Sequence, residues 1–97
     1  MNRKELARIV EEQFDEWLPM PRSHLTNEEF DKRSTFRWAL SEVIHVLEET
    51  DDPQRALINL VRRWQLYSTV DPKTRKMFRR ARKVAAEALE LVICLTE

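Results

Sequence analysis

The 97-residue chain contains no glycine, although an average sequence of this length holds about seven. Type I′ hairpin turns require positive φ, and loops that cradle phosphates or dinucleotides require a backbone that approaches the ligand closely. Glycine serves both purposes. The sequence therefore disfavours β-hairpin folds and nucleotide-cradling loops together, and it favours helices separated by proline and aspartate.

Hydrophobic residues recur at three- and four-residue steps along most of the chain, which predicts amphipathic helices. The predicted helices span about residues 3–18, 27–49, 53–67 and 72–95. The connections between the last three helices are short, and short connections favour antiparallel neighbours. We therefore expect residues 1–97 to form a single all-α domain, an up-down bundle of about four helices.

Polar residues mark the expected helix starts. The start signals are Asn2 with Glu5, Thr26 with Glu29, Asp52 with Pro53, and Asp71 with Pro72. The first two have capping-box spacing, and each aspartate-proline pair combines an N-cap with a proline at the first helical position. The Thr26 signal is the strongest, because Leu25 and Phe30 also occupy the positions of a hydrophobic staple.

Each predicted helix has one apolar stripe, which we expect to form the core. The stripe residues are Leu6, Ile9, Val10, Phe14, Trp17 and Leu18, then Phe36, Leu40, Val43, Ile44 and Leu47, then Leu57, Leu60, Val61, Trp64 and Tyr67, and finally Met77, Ala81, Val84, Ala88, Leu91 and Leu95. The spacing in the fourth helix is that of a heptad seam. Trp38, Ile58 and Leu66 fall off these stripes, which implies more covering surface than four simple stripes provide.

Acidic and basic residues are balanced over the chain, at 17 each, but they are unevenly distributed. Residues 1–52 hold 7 basic and 13 acidic residues, a net charge of −6, whereas residues 53–97 hold 10 and 4, a net charge of +6. This asymmetry predicts either an electropositive binding face or an attraction between the two halves, within one molecule or between copies.

The positive charge is concentrated at the start of the fourth helix. The residues that could contact phosphate or an acidic partner are Arg62, Arg63, Lys73, Lys76, Arg79, Arg80, Arg82 and Lys83, with Arg75 in the same run. One interpretation is a phosphate-binding face, including a helix-turn-helix whose recognition helix is the fourth. The favoured alternative is a solvated face balanced by acidic residues of the first half, such as Glu11 and Glu12.

The end of the fourth helix suggests an assembly surface. If the third and fourth predicted helices start together, the fourth is roughly 14 Å longer, so its last turns extend beyond its neighbour. Leu89, Ile93 and Cys94 lie on flanks of this segment that should face water. We expect a homodimer, and the candidate interface residues are Trp38, Leu89, Ile93 and Leu95. The alternative is that the first helix covers this end within one chain.

Catalytic chemistry has little support in the sequence. Cys94 lies in an apolar helix end, where burial keeps a thiol inert, and no serine has a recognisable activating partner. Glu42 and His45 have the E-x-x-H spacing of di-iron bundles, but such a site needs a second pair and two further glutamates. We therefore expect no enzyme activity, no catalytic residue, no metal site and no cofactor.

The remaining sequence features concern location and function. The longest apolar run, Leu91 to Leu95, is far shorter than the roughly 20 residues of a membrane span, and the lone cysteine and the lack of a leader pattern favour the cytoplasm. We expect an adaptor, regulator or assembly component that binds a protein partner. The alternative is a nucleic-acid-binding regulator that uses the basic face of the fourth helix.

Overall fold

The computed structural model describes residues 2–15 and 26–96, and every regular element in these ranges is an α-helix. The helices are α1 (Arg3–Asp15), α2 (Asn27–Glu49), α3 (Pro53–Val70) and α4 (Arg75–Thr96). The predicted all-α bundle is thereby confirmed for the described ranges. Residues 16–18 of the predicted first helix and Leu25 of the predicted staple lie outside the described residues.

Side-chain caps fix three of the helix starts. The Thr26 hydroxyl accepts a hydrogen bond from the Glu29 backbone N–H (3.2 Å), and the Glu29 carboxylate accepts one from the Thr26 N–H (3.0 Å), which completes the predicted capping box. Asp52 Oδ1 accepts from the Arg55 N–H (3.2 Å) at the start of α3. The side chain of Asn2 caps α1 in the same manner. Each cap satisfies a backbone donor that the helix leaves unpaired.

The Asp71-Pro72 signal was wrong as a helix start. Asp71 instead ends α3, which continues past its predicted end to Val70. The Asp71 Oδ1 accepts from the Lys73 N–H (3.0 Å) and its carbonyl from the Thr74 N–H (3.3 Å), so residues 72–74 form a turn and α4 begins at Arg75. Aspartate offers the same acceptor to a turn as to a helix N-cap, so the sequence pattern does not separate the two.

α3 and α4 form an antiparallel pair that is in contact at both ends. Gln54 Nε2, in the first turn of α3, donates to Thr96 Oγ1 at the end of α4 (2.8 Å). At the opposite end, the rings of Tyr67 and Phe78 lie 5.1 Å apart between centroids. α4 has 22 residues and α3 has 18, a difference of about 6 Å. The predicted overhang of α4 beyond α3 was therefore wrong.

α1 and α2 form a second antiparallel pair. Arg3 at the start of α1 pairs with Asp51 just after α2, and the rings of Phe14 and Phe36 lie 5.9 Å apart near the other end. The α1–α2 pair joins the α3–α4 pair mainly through α2, which packs against α4. α2 and α4 consequently each have packed neighbours on two sides.

The core is formed by apolar side chains from all four helices. Its buried members are Leu6, Ala7, Val10, Phe14, Ala39, Leu40, Val43, Leu47, Leu57, Leu60, Trp64, Ala81, Val84, Ala85, Ala88 and Val92. Full burial of a leucine or valine side chain stabilises a fold by about 1.5–3 kcal/mol. The three buried alanines of α4 permit close approach to α2 and α3.

Parts of the predicted core were wrong. Tyr67 keeps 42% of its surface exposed, whereas Ala85 and Val92, which fall off the predicted seam, are completely buried. The seam residues Met77, Leu91 and Leu95 are only half-buried. The reason is that α4 packs against two helices, so its buried face is turned from the predicted seam toward Ala85 and Val92.

Candidate interaction surface

The basic residues predicted to contact a partner lie at the surface. Arg62 and Arg63 on α3 are exposed, as is Lys73 in the turn. On α4 the exposed members are Arg75, Lys76, Arg79 and Lys83, and the half-buried ones are Arg80 and Arg82. We refer to Arg62, Arg63 and the seven basic residues from Lys73 to Lys83 as the basic cluster. All of its side chains are accessible to a partner.

The acidic half of the chain does not neutralise the basic cluster through ion pairs in the described residues. The ion pairs there are Arg3–Asp51, Arg8–Glu12 and Lys32–Glu28. All three lie within the first half of the chain, and none includes a residue of the basic cluster. The predicted balance between the solvated basic face and the acidic first half stays a prediction, because charges in solvent attract each other without direct ion pairs.

The two parts of the basic cluster lie at the same end of the bundle. Tyr67 of α3 contacts Phe78 of α4, and the two helices run in opposite directions from that point. At 1.5 Å per residue, Arg62 and Arg63 are therefore roughly level with Arg82 and Lys83 along the bundle axis. Nine cations thus surround the α3–α4 turn and the adjacent helical turns.

An exposed apolar strip runs along the outer side of α3 at this end. Leu66 and Val70 are 60% and 70% exposed, although they follow each other at a spacing of four residues on a well-packed helix. Tyr67 adjoins them. We call these three residues the α3 strip. Helical geometry places Leu66 opposite the buried stripe of Leu57, Leu60 and Trp64, so the core does not reach it.

Arginines flank the α3 strip directly. Arg62 and Arg63 precede Leu66 by four and three residues, and side chains with these spacings are neighbours on a helix surface. The surface therefore combines apolar side chains, including the aromatic ring of Tyr67, with guanidinium groups; aromatic residues and arginine are enriched at the centres of protein interfaces. Sequence analysis placed Leu66 outside the apolar stripe of the third helix. It did not include Val70, because the predicted helix ended at residue 67.

Trp38 belongs to an aromatic cluster between three helices. Its ring lies 5.3 Å from that of Trp64 and 6.1 Å from that of Phe78, and it keeps 38% of its surface exposed. Tyr67 extends the cluster through Phe78. Trp38 is thus both a packing residue of the bundle and part of the surface near the basic cluster. Phe78 is half-buried and packs against the core.

The other predicted interface residues lie at the opposite end of α4. Leu89 and Leu95 are half-buried and pack against the core. Ile93 is half-buried without belonging to that cluster. Cys94 is exposed, so the expected burial of its thiol was wrong. The structure therefore does not bring Trp38 together with Leu89, Ile93 and Leu95 into one surface, because they occupy different ends of the bundle.

Glu87 on α4 has an unusual environment. Its Oε2 atom is buried and makes no hydrogen bond within the described residues. Desolvation raises the pKa of Glu87, the charge of Glu90 raises it further, and Lys83 acts in the opposite direction. The carboxyl lies beside a groove lined by Gln13, Phe14, Glu90 and Leu91.

The described residues contain no arrangement suited to metal binding. Among them, no group of three or more histidine, cysteine, aspartate or glutamate side chains could hold a metal ion. Glu42 is half-buried and His45 is exposed. In the same ranges, no helix is both long enough and apolar enough to cross a membrane.

The helix-turn-helix interpretation was wrong in its geometry. Helices of that motif diverge at about 90–120°. α3 and α4 instead pack along each other, from the Tyr67–Phe78 contact to the Gln54–Thr96 hydrogen bond.

Comparisons with protein-family models, curated proteins and solved structures found no match for this chain.

Proposed function

We propose that the protein is a non-enzymatic interaction module, an adaptor, regulator or assembly component of the cytoplasm, that binds a protein partner through the α3 strip. The exposure of Leu66 and Val70 beside Arg62 and Arg63 is the observation that carries this proposal. Contiguous exposed apolar side chains rimmed by polar residues are typical of protein interaction sites. In this fold they contribute little to the core, which α3 supplies with Leu57, Leu60 and Trp64.

The composition of the surface favours a protein over a nucleic acid. Phosphate contacts require cations, and the basic cluster supplies them, so nucleic-acid binding is the second candidate function. Aliphatic side chains such as Leu66 and Val70, however, gain nothing from a phosphate backbone. A protein partner uses both components, since interface centres combine apolar side chains with arginine.

Self-association is part of the same proposal. Ile93 and Cys94 lie on the accessible side of the last turns of α4. This end is next to the first turn of α3, as the Gln54–Thr96 hydrogen bond shows, and therefore lies far from the α3 strip. A homodimer formed there leaves both copies of the strip free, which gives the assembly two binding sites and the avidity that follows from them.

Affinity capture from nuclease-treated extract of the source cells tests the proposal. The wild-type protein should retain specific proteins that the double variant Leu66→Ser/Val70→Ser loses. The matched control is Thr69→Ser, an exposed polar substitution on the same helix turn, and it should retain them. Equal retention by all three proteins would remove the α3 strip as the binding site.

The second candidate function has its own test. If the basic cluster binds phosphate, a labelled DNA duplex or RNA should bind at about 50 mM salt and weaken steeply by about 200 mM. The variant Arg79→Glu/Lys83→Glu should abolish that binding, while Leu66→Ser/Val70→Ser should leave it unchanged. Absence of binding at both salt concentrations removes the nucleic-acid function.

A further inference from the structure

We propose that the partner segment bound by the α3 strip is an acidic amphipathic helix, whose apolar side packs on Leu66 and Val70 and whose carboxylates pair with Arg62 and Arg63. This inference rests on the proposed function and adds the chemistry of the partner. Two features of the described surface support it: the linear arrangement of the apolar residues and the unpaired cations on both sides of them.

The apolar residues have the spacing of a helix-docking surface. Leu66 and Val70 are separated by one helical turn, and Tyr67, 42% exposed, extends the strip to one side. A partner helix lying along α3 can place side chains from successive turns between them, as packed helices do. The strip is only a few residues long, so a segment of three to five turns covers it.

The charges select an acidic segment. Arg62 and Arg63 adjoin Leu66 on the helix surface, and neither forms an ion pair within the described part of the chain. The cations of the turn and of α4 lie at the same end of the bundle. A carboxylate-bearing helix receives charge-assisted hydrogen bonds from guanidinium groups, whereas a basic segment is repelled.

The acidic end of α2 in a second copy fits the surface less well. Glu48, Glu49, Asp51 and Asp52 form an acidic region at the end of α2, and all are exposed. Residues 42–57, however, contribute no exposed large hydrophobic side chain to the described surface. Through this region a second copy could therefore pair carboxylates with Arg62 and Arg63, but it supplies no apolar side chain to pack on Leu66 and Val70.

Fluorescence anisotropy with labelled synthetic peptides tests the inference. The probe is a helix of about five turns with leucine at i, i+3, i+4 and i+7 and glutamate on both flanks. One control peptide has the same composition with the leucines distributed around the helix, and another replaces glutamate with lysine. The full-length protein is titrated into each peptide at about 150 mM salt.

The expected result is saturable binding of the acidic amphipathic peptide alone. Leu66→Ser/Val70→Ser should weaken it by roughly tenfold or more. Arg62→Glu should weaken it as well, because it places like charges together. The matched control Lys4→Glu, an equal charge change at an exposed position of α1 next to the Arg3–Asp51 pair at the other end of the bundle, should leave the affinity within roughly twofold of wild type.

Other outcomes overturn the inference. Equal binding of the scrambled peptide, or binding insensitive to Leu66→Ser/Val70→Ser, shows that charge alone is recognised. Stronger binding of a DNA duplex than of the peptide assigns the surface to nucleic acid, and loss of self-association in Leu66→Ser/Val70→Ser assigns it to a second copy. Failure of the peptide together with strip-dependent protein capture rejects the acidic-helix inference while retaining the proposed function; failure of both rejects both.

Discussion

The indole ring of Trp38 lies 5.3 Å from that of Trp64, so a side chain that keeps 38% of its surface exposed also joins α2 to α3. Aromatic pairs at this separation stabilise a fold beyond the area they bury. The pair also lies near the basic cluster, since Trp38 contacts Phe78 on the first turn of α4. The aromatic packing around Trp38 is therefore adjacent to the candidate binding surface. Substitutions at each can separate the effect on stability from the effect on binding.

Replacement of Trp38 should lower stability. Trp38→Ala removes the contacts with Trp64 and Phe78, and we expect the free energy of unfolding to fall by about 2 kcal/mol, less than for a fully buried tryptophan. Trp38→Phe keeps an aromatic ring and should cost less. Leu66→Ala is the matched surface control and should change stability by no more than about 0.5 kcal/mol. Urea unfolding followed by circular dichroism measures all three, and equal stabilities of Trp38→Ala and wild type would contradict the packing role.

Glu87 should make the stability of the fold depend on pH. Its pKa is raised above the usual value of 4.5 in the folded state, so the folded protein holds this proton when the unfolded chain has lost it. The contribution of Glu87 to stability is therefore most favourable below pH 4.5 and declines as the pH rises through the raised pKa. Glu87→Gln removes the charge, and we expect it to increase the free energy of unfolding at neutral pH but not in acid.

Chemical denaturation at a series of pH values checks this expectation. Glu48→Gln, at an exposed position of α2, is the control for the loss of one carboxylate. If Glu87→Gln and wild type differ by the same amount at neutral and at acidic pH, desolvation of Glu87 does not affect folding.

Two substitutions near the end of α4 distinguish a residue of the dimer interface from a residue of the core. Ile93→Glu alters a half-buried residue outside the core cluster, whereas Leu89→Glu introduces a charge at a residue that packs against the core. We expect Ile93→Glu to convert the dimer to a folded monomer whose unfolding midpoint no longer depends on protein concentration. Leu89→Glu should lower stability by about 2 kcal/mol or more.

Sedimentation equilibrium and thermal unfolding separate these cases. A wild-type protein that remains monomeric at high concentration contradicts the dimer. Unfolding of Ile93→Glu would instead assign this residue to the core of one chain.

The fold was largely predictable because its signals are local. The Thr26–Glu29 capping box and the Asp52-Pro53 start depend on residues a few positions apart, and the structure confirms both. Which residues of α4 are buried depends on two neighbouring helices, and the sequence pattern of α4 alone does not show how it packs against both. For this reason Ala85 and Val92 were not predicted as core residues. The extension of α3 to Val70 was also not predicted. Asp71 was interpreted as the N-cap of the fourth helix, whereas it ends α3 and its side chain accepts a hydrogen bond within the following turn.

The candidate surface was only partly predictable for the same reason. The basic residues are visible in the sequence as a run, and helical periodicity placed most of them away from the core. Whether acidic residues of the first half pair with them depends on the tertiary arrangement of α1 and α2. The role of Leu66 and Val70 became visible only once α3 was known to continue beyond residue 67 and to expose this side.

Site-specific photo-crosslinking identifies what binds the α3 strip in the cell. A benzophenone amino acid replaces Leu66 in one protein and Arg55 in another, and each is irradiated in the source cells. We expect a discrete, nuclease-resistant adduct with another protein from position 66 and none from position 55. An adduct sensitive to nuclease, or the same adducts from both positions, would contradict binding of a protein partner at the α3 strip.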